Sequence, residues 1–210
     1  MEIFTFATGP VETNVYIAFC PKTKNALIID PAPGSADHIF NFITEKNLNP
    51  QAIWLTHSHW DHIADVARVK KQYGIDVWIH PEDKGNLEEP GSDGMILWLA
   101  IVAVQPDHFF EDGMELNAVE STWTVIHTPG HTPGSVCFFN KEEKILITGD
   151  TLFRGSIGNI SFPTAQPERM WVSIDKLAAL PDETKVYPGH GVETTIGAET
   201  WLPNTREIYQ

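Results

Sequence analysis

Between Thr56 and His62 the chain reads Thr-His-Ser-His-Trp-Asp-His, which puts four potential metal-binding side chains, His57, His59, Asp61 and His62, within six residues. Neutral imidazole and carboxylate are the donors that zinc and its first-row neighbours accept. The apolar run Ala52–Leu55 just before them reads as a buried strand, so the cluster emerges at the edge of a sheet. Three imidazoles and a carboxylate this close are costly to bury unless a cation balances them. In an extended segment His57 and His59 point the same way, whereas Asp61 and His62 continue around the following turn towards a second centre.

Three later segments repeat the arrangement singly. Ile126-His127-Thr128-Pro129-Gly130-His131, Leu146-Ile147-Thr148-Gly149-Asp150 and Val186-Tyr187-Pro188-Gly189-His190 each run from an apolar strand into a glycine-containing turn with a donor at the turn. Glycine beside a donor lets the backbone approach closely and adopt positive φ where the turn demands it. With the opening cluster, this makes seven candidate metal ligands at strand ends: His57, His59, Asp61, His62, His131, Asp150 and His190. A Gly-x-Ser-x-Gly elbow and a phosphate-binding loop are both absent from the sequence, which leaves metal chemistry as the visible chemistry.

The elements that would position these residues follow from hydropathy period and turn signals. Ile3–Ala7, Val15–Phe19 and Ala26–Ile29 read as strands, and Ser35 as the cap of a helix to about Lys46 that turns Ile39, Phe40 and Ile43 inward. Ile63–Gln72 reads as a helix stopped by Gly74, and Asp76–Ile79 as the next strand. A second strand series covers Leu116–Glu120, Trp123–Ile126, Ser135–Phe139 and Ile145–Thr148. Pro167 opens a helix through Leu180 before a last strand at Lys185–Tyr187. Two sheets with helices outside, in one domain over residues 1–210, is the expectation.

Composition narrows the function. A chain of 210 residues, 42% hydrophobic and 20% charged, can bury a substantial core. Its formal net charge of −14 argues against nucleic acid, which wants a basic field. The start carries no basic, then apolar, leader pattern, and the most apolar window, Met95–Val104, is too short to span a bilayer. No membrane association, a small-molecule substrate and a cytoplasmic location are expected. Cys20 and Cys137 read as buried, reduced thiols.

Together, the order His-x-His-x-Asp-His, then His, Asp and His, resembles the metallo-β-lactamase superfamily of metal-dependent hydrolases. The words Gly130-His131-Thr132-Pro133-Gly134-Ser135 and Gly149-Asp150-Thr151-Leu152-Phe153 resemble its short glyoxalase II-like (hydroxyacylglutathione hydrolase-like) branch. The resemblance implies an α+β, four-layer αββα sandwich. It also implies two divalent metal ions per chain, zinc first, with iron or manganese accepted by the same donors. One would be held by His57, His59 and His131 and the other by Asp61, His62 and His190, with Asp150 bridging. Asp61 and Asp150 would then act in catalysis through water made reactive between the two cations. The implied activity is hydrolysis of S-D-lactoylglutathione or a related acyl thioester. Two alternatives stay open: an unidentified ester or lactone, and a single-iron persulfide dioxygenase.

Single positions discriminate within the resemblance. Lactamase branches place cysteine or serine where Asp150 stands, and flavodiiron proteins an acidic residue where His59 stands. The dioxygenase branch continues after the aspartate with a cysteine and a second arginine, where this chain has Arg154-Gly155-Ser156-Ile157-Gly158-Asn159-Ile160. The run ending Gly158-Asn159-Ile160-Ser161 also replaces a family arginine. The C-terminal helical region that supplies basic residues for glutathione in full-length relatives is not expected, since 20 residues follow His190 with Arg206 alone basic among them. Arg154 is the candidate anion contact in its place, and Phe153 and Tyr187, which flank ligand turns, are candidate substrate contacts. His127 is expected to hydrogen-bond behind the site, and His38, His80 and His108 to lie on the surface or in turns. Trp60 could wall the pocket or pack behind the cluster. Residues 85–113 read either as a buried helix or strand, or as an apolar flap over the site or a homodimer contact.

Overall fold

The computed structural model describes residues 1–202. Strands β1 (Glu2–Thr8), β2 (Thr13–Phe19) and β3 (Asn25–Ile29) pair antiparallel. Beyond β3 the sheet turns parallel through β4 (Asn49–Trp54), β5 (Asp76–Ile79) and the short β6 (His108–Phe109). The crossovers carry α1 (Ala36–Lys46), α2 (Trp60–Ile63), α3 (Val66–Tyr73) and α4 (Lys84–Glu88). In the second sheet, β7 (Glu115–Ala118), β8 (Ser121–His127), β9 (Val136–Asn140) and β10 (Ile145–Gly149) run antiparallel. A ribbon of β11 (Leu152–Phe153) and β12 (Ser156–Ile157) and then α5 (Pro167–Ala178) lead to β13 (Lys185–Pro188), parallel to β10, and an edge strand β14 (Thr194–Thr195).

Strand alternation builds the layers. Successive side chains of a strand face opposite sides of its sheet. Val15, Ile17, Ala26 and Ile28 therefore pack against the α1 and α3 residues Ile39, Ile43, Val66 and Val69. Their neighbours Tyr16, Ala18, Leu27 and Ile29 meet Trp123, Val125, Phe138 and Ile147 between the sheets. On the far side, Cys137, Leu146 and Val186 pack against Met170, Ile174 and Leu177 of α5. Helix, sheet, sheet, helix is the α+β four-layer αββα sandwich that the family resemblance implied.

Local differences from the sequence reading have local causes. The helix expected over Ile63–Gln72 is two helices, because the Asp65 backbone N–H donates to Pro31 O at 3.0 Å, outside the helical ladder. Ser35 makes no side-chain cap; the Ala36 N–H donates to Asp65 Oδ2 at 2.8 Å instead. Cys20 is half-buried rather than buried, whereas Cys137 is fully enclosed. His80, expected at the surface or in a turn, lies in the turn after β5 but is buried there, its ring stacked on His127 at 3.9 Å. His38 is exposed, and His108 pairs with Asp76 at 2.9 Å. Beyond α4, Met95–Val104 forms neither helix nor strand: Ile96, Trp98 and Val102 are exposed and Val104 is buried. Among the described residues no helix is long and apolar enough to cross a membrane.

Candidate metal centre

Four strand ends converge at one edge of the sandwich. The turn after β4 carries His57 to His62, and the ends of β8, β10 and β13 deliver His131, Asp150 and His190. The first turn is pinned before any ligand is considered. Thr56 donates its N–H to Asp30 Oδ1 at 2.8 Å and its hydroxyl to Asp30 Oδ2 at 2.6 Å. Asp83 accepts from Ser58 N at 2.8 Å, Gly134 N at 2.6 Å and Thr132 Oγ at 2.9 Å, tying the β4 turn to the loop that carries His131. The His190 turn is fixed to the first sheet by Asn14, whose amide donates to Pro188 O at 3.0 Å and Gly191 O at 2.9 Å.

All seven candidate ligands meet. Donor atoms of His57, His59 and His131 lie within 4.8 Å of one another, as do those of Asp61, His62 and His190. Asp150 stands between the groups: Oδ1 is 3.4 Å from His62 Nε2, and Oδ2 is 3.4 Å from both His131 Nε2 and His190 Nε2. Asp61 Oδ2 lies 3.2 Å from His190 Nε2 and accepts from Thr13 Oγ at 2.7 Å. All but His190 are buried.

The outer nitrogen of most imidazoles has a partner, which sets the inner nitrogen as the lone-pair donor. His62 Nδ1 donates to Asp30 Oδ2 at 2.9 Å, His131 Nδ1 to Asn159 O at 2.8 Å and His190 Nδ1 to Val11 O at 3.0 Å. His57 Nδ1 lies 3.1 Å from Thr56 Oγ, whose own proton goes to Asp30. His59 differs: Nδ1 faces His131 Nε2 at 2.7 Å, and its ring packs edge-on against Phe162. His57 Nε2, His62 Nε2 and Asp150 Oδ1 are buried without any hydrogen-bond partner. Buried polar atoms are almost always satisfied, so three inward-facing orphans in one cluster fit divalent cations.

Electrostatics agree with that fit. Burial, then the neighbouring imidazoles, pushes His57 well below the ordinary histidine range; burial and His131 carry His59 to about 3. Both are thereby held in the neutral form that ligates. Burial would raise Asp61, but His62 and His190 outweigh it and hold the carboxyl at about 2. For His190 burial is overcome by hydrogen bonds to Asp150 and Asp61, which raise it to about 9. The two carboxylates stay ionised and draw positive charge to the cluster, a role divalent cations would fill more strongly.

The family model for the metallo-β-lactamase superfamily matches residues 8–190, a span that holds every strand from β2 to β13 and every one of the seven ligands. The chain belongs to the metallo-β-lactamase superfamily. A Haemophilus influenzae relative named hydroxyacylglutathione hydrolase GloC is 37% identical over 84% of this chain and 84% of its own length. Among solved structures, the BLEG-1 B3 metallo-β-lactamase superposes with a TM-score of 0.88 at 35% identity, covering 94% of this chain and 96% of that one. TTHA1623 in a di-iron-bound form gives 0.83 at 36% identity, covering 93% and 96%.

Within this superfamily fold a cavity of about 600 Å³ opens beside the centre, lined by His59, Asp61, His131, Asp150 and His190 together with apolar side chains. Phe153 lines it, edge-on to His190 at 5.9 Å. Arg154 does not: it sits in the turn between β11 and β12, where it is exposed. Tyr187 is also misplaced by the sequence reading, because alternation along β13 packs its ring between the sheets against Tyr16 at 5.7 Å. Trp60 walls the cavity. Arg206 lies outside the described residues.

Several residues the sequence reading did not single out carry the geometry: Asp30, Asp83, Val11 and Asn159. Gly158 and Gly189 matter by what they lack. A Cβ at Gly189 would sit 2.1 Å from Asp150 Oδ1, and one at Gly158 would sit 1.9 Å from Asp150 O. Asp30 alone left a trace in the sequence, as the polar residue that ends β3 in Asp30-Pro31.

Proposed function

We propose that the chain is a dinuclear metal-dependent hydrolase of acyl thioesters. His57, His59 and His131 would hold one divalent cation, and Asp61, His62 and His190 the other. The observation that carries this is Asp150, whose Oδ2 lies 3.4 Å from His131 of one ligand group and from His190 of the other, while Oδ1, 3.4 Å from His62, has no hydrogen-bond partner. When bound, two divalent cations lower the pKa of water and polarise a substrate carbonyl. The residues of the chain contribute position and exclusion. Asp30, Asn159 and Val11 orient His62, His131 and His190, and Phe153 and Phe162 limit water on the cavity side. No hydroxyl, thiol or amine side chain of the described residues lines the cavity, so a covalent acyl-enzyme has no seryl, cysteinyl or lysyl nucleophile there.

The Haemophilus relative's name makes S-D-lactoylglutathione the reference substrate. BLEG-1, by its own name a B3 metallo-β-lactamase, makes a β-lactam the comparison. Elemental analysis of purified protein beside both assays tests the reading. Two metals per chain with thioester turnover is the expected result. One iron per chain, with oxygen consumed on glutathione persulfide, would replace it by a dioxygenase. Asp150→Ala should lower kcat/KM at least about a thousandfold, as removal of a ligand shared by both cations implies. Turnover like the parent's in that variant would refute the bridge.

A further inference from the structure

The wall of the cavity beyond the metal centre is almost entirely apolar. Trp98, two-thirds exposed, stacks on the buried Trp60 with ring centroids 5.8 Å apart and planes at 25°. Met95 and Ile96 line the same cavity, as do Phe153 and Phe162, edge-on to His190 and His59. Ile96 is 81% exposed, an unusual state for a large aliphatic side chain beside a polar centre. Trp60 is flanked by His59 and Asp61, so this surface is continuous with the metal centre itself rather than a separate patch. Among the described residues no lysine or arginine lines the cavity. A substrate carboxylate seated against this wall would lose its hydration without gaining a cation.

We propose that the preferred substrate carries an extended, uncharged apolar group beside its scissile carbonyl, seated on the wall formed by Trp60, Trp98, Met95 and Ile96. Its size suits the cavity, since about 600 Å³ lies within the range that encloses small ligands. The inference rests on the thioesterase reading and narrows it: small polar acyl groups such as lactoyl would leave this wall wet. The apolar group can sit on either side of the thioester, acyl chain or thiol, and the test separates these sources.

One series on the metal-loaded enzyme extends the acyl chain of N-acetylcysteamine thioesters from acetyl to decanoyl. A second keeps the acetyl group and lengthens the alkanethiol. In whichever series places the chain on the wall, kcat/KM should rise about threefold to fourfold per methylene over the first few carbons, mainly through KM. Trp98→Ala and Ile96→Glu, both at exposed positions, should reduce the long-to-short ratio at least tenfold. A flat or falling profile in both series, or a ratio unchanged in both variants, overturns the inference. Should no thioester turn over, the hydrolase reading fails separately. Calorimetric titration with hexyl and ethyl thioethers of N-acetylcysteamine then decides the wall alone: tighter hexyl binding supports it, and equal binding overturns it.

Discussion

His62 has a single outer partner, and that partner is Asp30, 32 positions earlier in the chain. The carboxylate is 1% exposed, sits at φ +51°, and accepts from Thr56 N, Thr56 Oγ and His62 Nδ1 together. A group behind a ligand that fixes its tautomer typically contributes tenfold to a hundredfold in metal affinity. Asp30→Asn keeps the volume but can present an amide N–H to the His62 Nδ1–H, so affinity at the Asp61, His62 and His190 group should fall by about that factor. Competition with a chelator of known affinity measures it, and unchanged affinity would mean that packing alone orients His62. The ligands themselves were legible because their types and spacing are local properties. Asp30 was legible only as the end of a strand, since nothing near it in the sequence names a partner beyond β4. Tyr187 and Arg154 were misassigned for the converse reason: both adjoin ligand turns, but alternation along β13 turns Tyr187 into the core and Arg154 falls in an exposed turn.

At the level of elements, the β7–β8 hairpin turns through Val119 and Glu120, both left-handed at φ +56° and +58°. Two-residue turns of this kind favour Asn-Gly, and the absence of that signal is why the sequence extended the first strand through Glu120. Val119 is held there by its side chain, 4% exposed within the core between the sheets. Glu120 is exposed and its carboxylate hydrogen-bonds laterally, to Asn25 and to Thr23 and Cys20 of the β2–β3 turn. Glu120→Gly should therefore stabilise the fold by about 0.5–1 kcal/mol, the left-handed penalty less the entropic cost of glycine, raising the thermal midpoint by about 1–4 °C for a chain of this size. A fall in the midpoint would show that the lateral contacts to Asn25, Thr23 and Cys20 outweigh the strain. The longer strands were legible because apolar runs between turn residues are a strong local signal, whereas the two-residue strands β6, β11, β12 and β14 are too short to carry one. The 95–104 run was not, since an apolar composition is the same whether the segment fills a core or lines a cavity, and only the fold decides which.

For the molecule as a whole, the centre joins two sheets that also meet through their shared core and through hydrogen bonds such as Asn14 to Pro188 O and Val136 N to Thr56 O. His57, His59, Asp61 and His62 belong to the first sheet's edge, and His131, Asp150 and His190 to the second's. Cations bound there would cross-link that edge and add about 4 kcal/mol when free metal exceeds the dissociation constant a thousandfold. They would also offset part of a net charge of −14 that favours expansion. Chelation should accordingly lower the thermal midpoint by several degrees, and the loss should be uneven. The core of Tyr16, Trp54, Trp123 and Phe138 is closed without any ligand, whereas the ligand turns are exposed to any loosening of the edge. Hydrogen exchange with and without chelator should therefore speed up over residues 56–62, 129–134 and 188–191 while β2 and β9 stay protected. Equal acceleration in turns and strands would mean that the cations hold the two sheets together rather than close one edge of a sandwich already formed. An unchanged midpoint with unchanged exchange would mean that no cation is bound at this edge.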